Sequence, residues 1–493
     1  MMKGKSIYIG TLFIIVVVPM LFYFFGKDGT ERVYQHEIAP KEKETSLAID
    51  KKNFKSHLPI VTIDTKGQTV PGTPIYDKDG SYIGNETYEG KDEITVNITI
   101  IDEEEGENSL KETPKVKSKA LISYRGNSSR NFDKKSYNIK LVDDAGEKNP
   151  QVVMGMSKHH KWVLNGPCLD RTLIRNYLIY NVAGSIMDYA PNVRFCELFK
   201  DGVYQGVYLM VEPITDGEGR IELKDPEQGA KQTSWIVRWD RKSKMYTPIY
   251  NFTYYTYLSN VSGLDLRYPG EKNLTKERLQ FIEDDISKIE KALYSYDLTD
   301  PKKGYRQYLD RESFVQYFII NEFFRNIDSG RFSTFYYKPL RGKVKTVVWD
   351  FNNAADNYPN YTFEEYGFTL TDSPWFAMLV KDKGFVEYII FEYHKLRKTY
   401  LSEEFLFSMI DDTVDYLGSA VDRNYEVYGY LFDQTKADRL NYLIPAKRNY
   451  TSYEESVAQL KQFIKKRGEW LDQNIDTLYQ YCHDSKNKDQ LMK

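Results

Sequence analysis

Two aspartates, Asp328 and Asp350, flank a segment that alternates like a pair of strands: RFSTFYYK, a turn at Pro339-Leu340-Arg341-Gly342, then KVKTVVWD. Antiparallel pairing brings the outer ends of such strands together, so the two carboxylates meet at one end of the ribbon. The run WDFNNAADNY around Asp350 adds the Asn352 amide and the Asp356 carboxylate within one short loop. Hard oxygen donors of this kind suit Mg²⁺, which takes one or two side chains and fills its shell with phosphate oxygens. Asp350, Asn352 and Asp356 are therefore the candidate metal residues. Asp328 is left to orient or deprotonate an attacking hydroxyl.

A phosphate needs a cradle, and RGNSSRNFDKK, Arg125 to Lys135, is the candidate. Gly126 permits close backbone approach. Asn127, Ser128 and Ser129 supply donors, and Arg125 and Lys135 supply charge. On the next strand, KKSYNIKLVD, Lys140 shares a face with Asn138 and competes with Lys134 and Lys135 for contact with phosphate. Each residue also has a plainer reading: an aspartate at a strand end braces turns, a polar RGNSS run can be an ordinary turn, and a strand lysine is usually solvated. His159 and His160 are adjacent, so their rings should point apart and form no metal site.

These residues are carried by two unlike stretches. From His57, LPIVTIDTKG, EITVNITIID, KALISYRGN and KKSYNIKLVD have strand periodicity, VRFCELF and VYQGVYLMVE flank the hairpin turn Lys200-Asp201-Gly202, and one helix runs from Asp170 as N-cap. Residues 57–215 thus read as a β-rich lobe. After it, LTKERLQFIEDDISKIEKALYSY, ESFVQYFIINEFFRNI, FVEYIIFEYHKLRKTYL and SYEESVAQLKQFIKKRGEWLDQNIDTLYQY have apolar faces at helical spacing, so residues 216–482 read as a helical lobe interrupted by the acid-bearing hairpin. The fold class is α+β. A β lobe, a helical lobe and an acid-hairpin-acid unit is the logic of a two-lobed, protein-kinase-like phosphotransferase.

Several blocks, RGNSSRNFDKKSYNIKL, KWVLNGPCLDRTLIRNYLIYNVAG, FCELFKDGVYQGVYLMVEPI, NEFFRNID and VVWDFNNAADNY, resemble in order those of the spore coat protein H (CotH) kinase family, from about Leu58 to Tyr481. The resemblance implies an atypical kinase-like fold that binds ATP with Mg²⁺ (Mn²⁺ as the substitute metal) and phosphorylates Ser or Thr of a protein. It maps the catalytic acid to Asp328 and the metal acid to Asp350. Ser333 stands where many members have Asn, and Asn352 where they have a second Asp; Asn remains an oxygen ligand, with Asp356 as the source of the missing charge. The helix after Asp170 contains no Glu, so an acid paired with the phosphate-site lysine would be Glu197 or Glu212.

Composition bounds the rest. The 493 residues carry a net charge of −3 and 41% apolar residues, which excludes wholesale disorder and argues against nucleic acid as a partner. Three widely spaced cysteines imply neither a zinc site nor a disulfide framework. Ser6 to Phe25 is uncharged, and about 20 helical residues span a hydrocarbon core of ~30 Å. Lys3 and Lys5 precede it, so residues 6–26 are expected to be an uncleaved signal anchor in the cell membrane, with residues 1–5 cytoplasmic and the body outside. Residues 27–56 read as a charged stalk and residues 483–493 as a polar tail. The Tyr-rich run Met245 to Leu258 is expected as a surface strand or, alternatively, the wall of a glycan or peptide groove. The competing functional reading is a surface binding or scaffold protein on an inactive kinase fold, or a factor in surface-polymer assembly.

Overall fold

Val and Ile at alternating positions in the first half close into a barrel. Its strands are β1 (Ile60–Asp64), β2 (Ile94–Ile101), β3 (Val116–Arg125), β4 (Ser136–Val142), β5 (Lys161–Asn165), β6 (Val193–Lys200) and β7 (Val203–Val211), in the order β5-β7-β6-β1-β2-β3-β4 with β4 closing on β5. All pairs are antiparallel except β6 with β1. The inward set, including Ile63, Val96, Ile98, Ala120, Ile122, Ile139, Leu141, Trp162, Leu198 and Met210, packs into one buried apolar cluster. These are alternate residues of each strand, as the period of two requires.

The computed structural model describes residues 32–39, 47–79, 82–103, 107–242, 246–255, 262–436 and 441–482. The chain divides into the units Met1–Tyr34 and Gln35–Lys493, and the barrel and the helical part belong to the second. The expected membrane segment at residues 6–26 and the polar tail lie outside the described residues. Among the described residues no helix is long and apolar enough to cross a membrane.

Beyond the barrel, β8 (Trp235–Arg241), β9 (Ser262–Tyr268), β10 (Thr334–Lys338) and β11 (Lys345–Val347) form a second sheet in the order β9-β8-β10-β11. The helices are α1 (Arg175–Ile186), α2 (Lys276–Leu293), α3 (Arg311–Phe323), α4 (Lys383–Leu396), α5 (Glu403–Leu417), α6 (Ser419–Tyr428) and α7 (Tyr453–Asn474). A one-turn helix, Pro374–Leu379, carries Trp375 and Phe376 into the aromatic contact between α3 and the second sheet. The molecule is thus a mixed α+β fold, and α1 joins its two parts.

The structure departs from the sequence reading at several points. The helix expected from Asp170 begins at Arg175; Asp170 instead folds the segment before it, accepting from Thr172 N (3.1 Å) and Arg175 N (2.9 Å). The acid-bearing hairpin is not an isolated ribbon, because β10 pairs with β8 from Trp235–Lys338 to Trp239–Thr334. In the Tyr-rich run, Phe252–Tyr255 is a 3₁₀ turn rather than a strand, pinned by Glu290, which accepts from Thr253 N (2.9 Å) and Asn251 Nδ2 (2.8 Å). His159 and His160 stack with ring centroids 4.7 Å apart, because the strand ends at His159 and His160 lies in the bend after it, where strand alternation no longer holds. All three cysteines are free, Cys168 and Cys196 being buried.

Candidate functional site

Strand register builds the site. Phe335 lies opposite Val347 and Tyr337 opposite Lys345. Continuing this register past the strand ends sets Phe332 across from Asp350. A turn in which Phe332 N donates to the Asp328 carbonyl (2.8 Å) brings Asp328 back to the same end. The two acids accordingly share one environment. Burial raises the Asp328 pKa, the Asn353 amide (Nδ2 to Oδ2, 2.8 Å) opposes that shift, and the negative charge of Asp350 adds to it. Asp350 accepts from Asn352 Nδ2 at Oδ1 (2.7 Å) and from Ser333 Oγ at Oδ2 (3.4 Å).

The loop that presents Asp350 is held in an unusual backbone shape. Arg325, Ser333, Asp350, Ala355 and Asp356 all have φ between 46° and 62°. Non-glycine residues reach that region only when the surroundings impose it, and such strain gathers at functional sites. Here α1 imposes much of it. Asn176 accepts from Phe351 N (2.9 Å) and donates to Asn352 Oδ1 (2.8 Å). One helical turn on, the Tyr180 hydroxyl accepts from Asp350 N (3.0 Å), and Arg175 Nε donates to the Ala354 carbonyl (3.2 Å). Burial, with the charge of Asp350 second, pushes the Tyr180 phenol up, so it stays protonated. From the other side, Asn326 Nδ2 donates to the Asp350 carbonyl (3.4 Å).

The basic turn meets this acid end through one residue. Arg125 closes β3, and its guanidinium lies 4.8 Å over the centre of the Trp349 ring. Burial lowers its pKa and the charge of Asp350 pulls it back up. Gly126 has φ +114°, and a Cβ there would stand 1.8 Å from Ser129 Oγ, so only glycine allows the turn. Asn127 precedes the 3₁₀ turn Ser128–Asn131, in which Arg130 is buried and donates to the Gly72 carbonyl (2.9 Å).

The lysines face elsewhere. Lys135 Nζ donates to the Arg130 carbonyl (2.7 Å), and Lys140 pairs with Glu93 (2.8 Å). Lys134 is buried, donating to Asn424 Oδ1 (2.6 Å) with its ammonium over the Tyr208 and Tyr428 rings; burial brings its pKa down to about 7. Neither acid expected beside the phosphate-site lysine stands there. Glu197 binds Arg423 (2.9 Å), and Glu212 accepts from Asn192 N (3.0 Å) with Arg220 at 3.9 Å. Asp356 faces Arg448 (3.1 Å) and accepts from Phe363 N (2.7 Å).

Sequence reasoning missed Asn176, Tyr180, Asn326, Asn353 and Arg241. Arg241 lies 4.0 Å over the Phe332 ring, and its charge lowers the Asp328 pKa. The usable signal was in α1: Asn176 and Tyr180 are polar, four residues apart, in a helix buried from Arg175 to Ala183.

The residues present fit a divalent cation. Two carboxylates brought close together, with the charge of Asp350 felt at Asp328, gain from a nearby positive charge. Asn326 Oδ1, on a side chain only 2% exposed, has no hydrogen-bond partner and is an idle oxygen beside Asp350. Among the described residues there is no cluster of three or more His, Cys, Asp or Glu able to hold a metal by itself, and a cation held here would draw also on amide oxygens and on the bound molecule.

An acid pair beside a strained loop, with a partly buried arginine at the end of a barrel strand, makes a polar, charged site. A family model described as CotH kinase protein matches residues 122–471, and the chain belongs to the CotH kinase family. It is a kinase-like protein. No curated protein matches the chain.

Proposed function

We propose that the protein is a membrane-anchored phosphotransferase that moves a phosphoryl group from ATP to a Ser or Thr hydroxyl of an exported or surface protein. In this reading the barrel and the helical part, about residues 57–215 and 216–482, are the two lobes of an atypical kinase-like fold. The reading is carried by one observation: the hairpin sets Asp328 and Asp350 near one another, so that burial and then the charge of Asp350 raise the Asp328 pKa. Asp328, whose carboxyl pKa is raised first by burial, accepts the proton of the attacking hydroxyl. Asn353 orients it. Asp350 and Asn352, with Asn326, would hold Mg²⁺ or Mn²⁺, which when bound neutralises charge on the phosphates. Arg125 and the 126–129 turn contact the phosphate oxygens, and Ser333 positions Asp350.

The test is phosphate incorporation into an exported protein fraction from labelled ATP. The full-length protein should label it with Mg²⁺, and Asp350→Ala should lose at least about 10²-fold in rate. Equal labelling by the two would end the proposal. Protease digestion of intact cells checks the anchoring: the body should be cleaved from outside.

One observation favours a binding protein without catalysis. Asn352 turns its amide nitrogen, not its oxygen, to Asp350. If Mg-ATP gives no rise in melting temperature, that second reading prevails.

A further inference from the structure

A charged pocket adjoins Asp356 and Asn357, a few residues along the chain from Asp350. It is partly open and is lined by Arg171, Arg175, Arg448, Asp356, Tyr450 and Gln459 among others. The three arginines are 4%, 3% and 6% exposed. Two have carboxylate partners: Arg175 with Asp170 (2.5 Å) and Arg448 with Asp356 (3.1 Å). Arg171 has none among the described residues. It donates to the carbonyls of Leu431 (3.2 Å) and Asn441 (3.5 Å) and lies 5.2 Å over the Tyr442 ring. A buried guanidinium without a counter-ion is costly, and it is satisfied when an anion enters beside it. Arg448 leaves a donor idle as well: its Nε is buried and makes no hydrogen bond.

We propose that this pocket binds a small tetrahedral oxyanion, inorganic phosphate or sulfate, between Arg171 and Arg448. Guanidinium groups are the side chains best matched to such anions. The site is separate from the acid pair, because neither Asp328 nor Asp350 lines it. Arg175 holds the carbonyls of Ala354 (3.2 Å) and Ala355 (3.5 Å), and Arg448 holds that of Asp356 (2.6 Å). An anion drawn onto these arginines therefore stiffens the segment that carries Asp350 and Asn352, and makes the candidate site responsive to the ambient phosphate or sulfate level.

Thermal unfolding of the full-length protein at constant ionic strength tests this, with sodium phosphate or sodium sulfate replacing sodium chloride in the low millimolar range. The expected result is a saturable rise of about 1–3 °C with either oxyanion and none with chloride. The rise should survive Asp350→Ala and vanish in Arg171→Gln. Tyr450→Glu, at a half-buried wall position, puts a negative charge at the pocket and should also abolish it, so the test stands even if Arg171→Gln fails to fold. The proposal is overturned if neither oxyanion exceeds chloride, or if the rise persists in a folded Arg171→Gln or Tyr450→Glu variant. Loss of the rise in Asp350→Ala also overturns it, because the anion would then belong to the acid-pair site. None of these outcomes depends on phosphate transfer.

Discussion

Asp328 is the residue on which chemistry and stability pull in opposite directions. Its folded pKa is raised, first by burial and then by the charge of Asp350. The folded state then holds the proton more tightly than the unfolded chain. Stability falls as pH rises from the ordinary carboxylate value through the raised one, and the cost is fully present above it. Asp328→Asn removes that cost. At neutral pH the variant should be at least as resistant to denaturant as the wild type, while phosphate transfer falls about 10²- to 10⁴-fold. A loss of both together would make Asp328 a structural brace. Asn353 gives the complementary test, because its amide is the contact that lowers the Asp328 pKa. Asn353→Ala should move the acid limb of the pH–rate profile to higher pH; a limb that stays in place or moves down would remove Asp328 as the titrating base. The acid pair was legible because one hairpin carries both residues and pairing geometry alone brings them together. Asn353 was passed over inside the very run that disclosed Asp350. Asn176 and Arg241 come from 174 and 87 residues away from Asp350 and Asp328, by chain positions 176, 350, 241 and 328, and only tertiary folding sets them there.

Among the elements, α1 carries the most. Its first turn is organised by Asp170, whose Oδ1 accepts from Thr172 N (3.1 Å), Thr172 Oγ1 (2.5 Å) and Arg175 Nη1 (2.5 Å) while Oδ2 accepts from Arg175 N (2.9 Å). Reading Asp170 as an N-cap recognised its chemistry but not its geometry. A capping aspartate bonds two or three residues ahead, and here the Leu173 backbone at φ +64° lengthens the cap by an extra turn. Asp170→Ala should cost about 3–5 kcal/mol in denaturant unfolding, since it strands a buried guanidinium. Asp170→Asn, which keeps an acceptor oxygen, should cost less. A change under about 1 kcal/mol for the alanine variant would show that Arg175 is satisfied by the 354–355 carbonyls alone. The second sheet was the least legible element. In β8, WIVRWDR buries Trp235, Ile236 and Val237 in succession, and alternation is lost. Its register partners on β10 are about a hundred residues away, where no local signal reaches.

At the scale of the whole molecule, barrel and helices are joined by a charge pair that neither part could hold alone. Glu197 is on β6 and Arg423 on α6, both fully buried, and Arg423 donates through Nε and Nη2 to the two carboxylate oxygens at 2.9 Å each. Ser419 Oγ accepts from Arg423 Nη1 (2.6 Å), and the Tyr204 hydroxyl donates to Glu197 (2.5 Å), so the pair is closed on every side that the fold supplies. Beside it, Asn424 takes the buried Lys134 ammonium and Val207 N (3.1 Å), which fixes α6 to β7 at a second point. Burying two charges is costly, and their mutual attraction offsets that cost only while both remain. Removing one partner is therefore worse than removing both. Glu197→Ala should destabilise by about 3–5 kcal/mol, and Glu197→Leu with Arg423→Met should recover most of it, a coupling that a double-mutant cycle in denaturant reads directly. If the double variant instead lost the sum of the single losses, the pair would be two independent packing contacts, and the joint between barrel and helices would rest on Asn424 and its apolar neighbours.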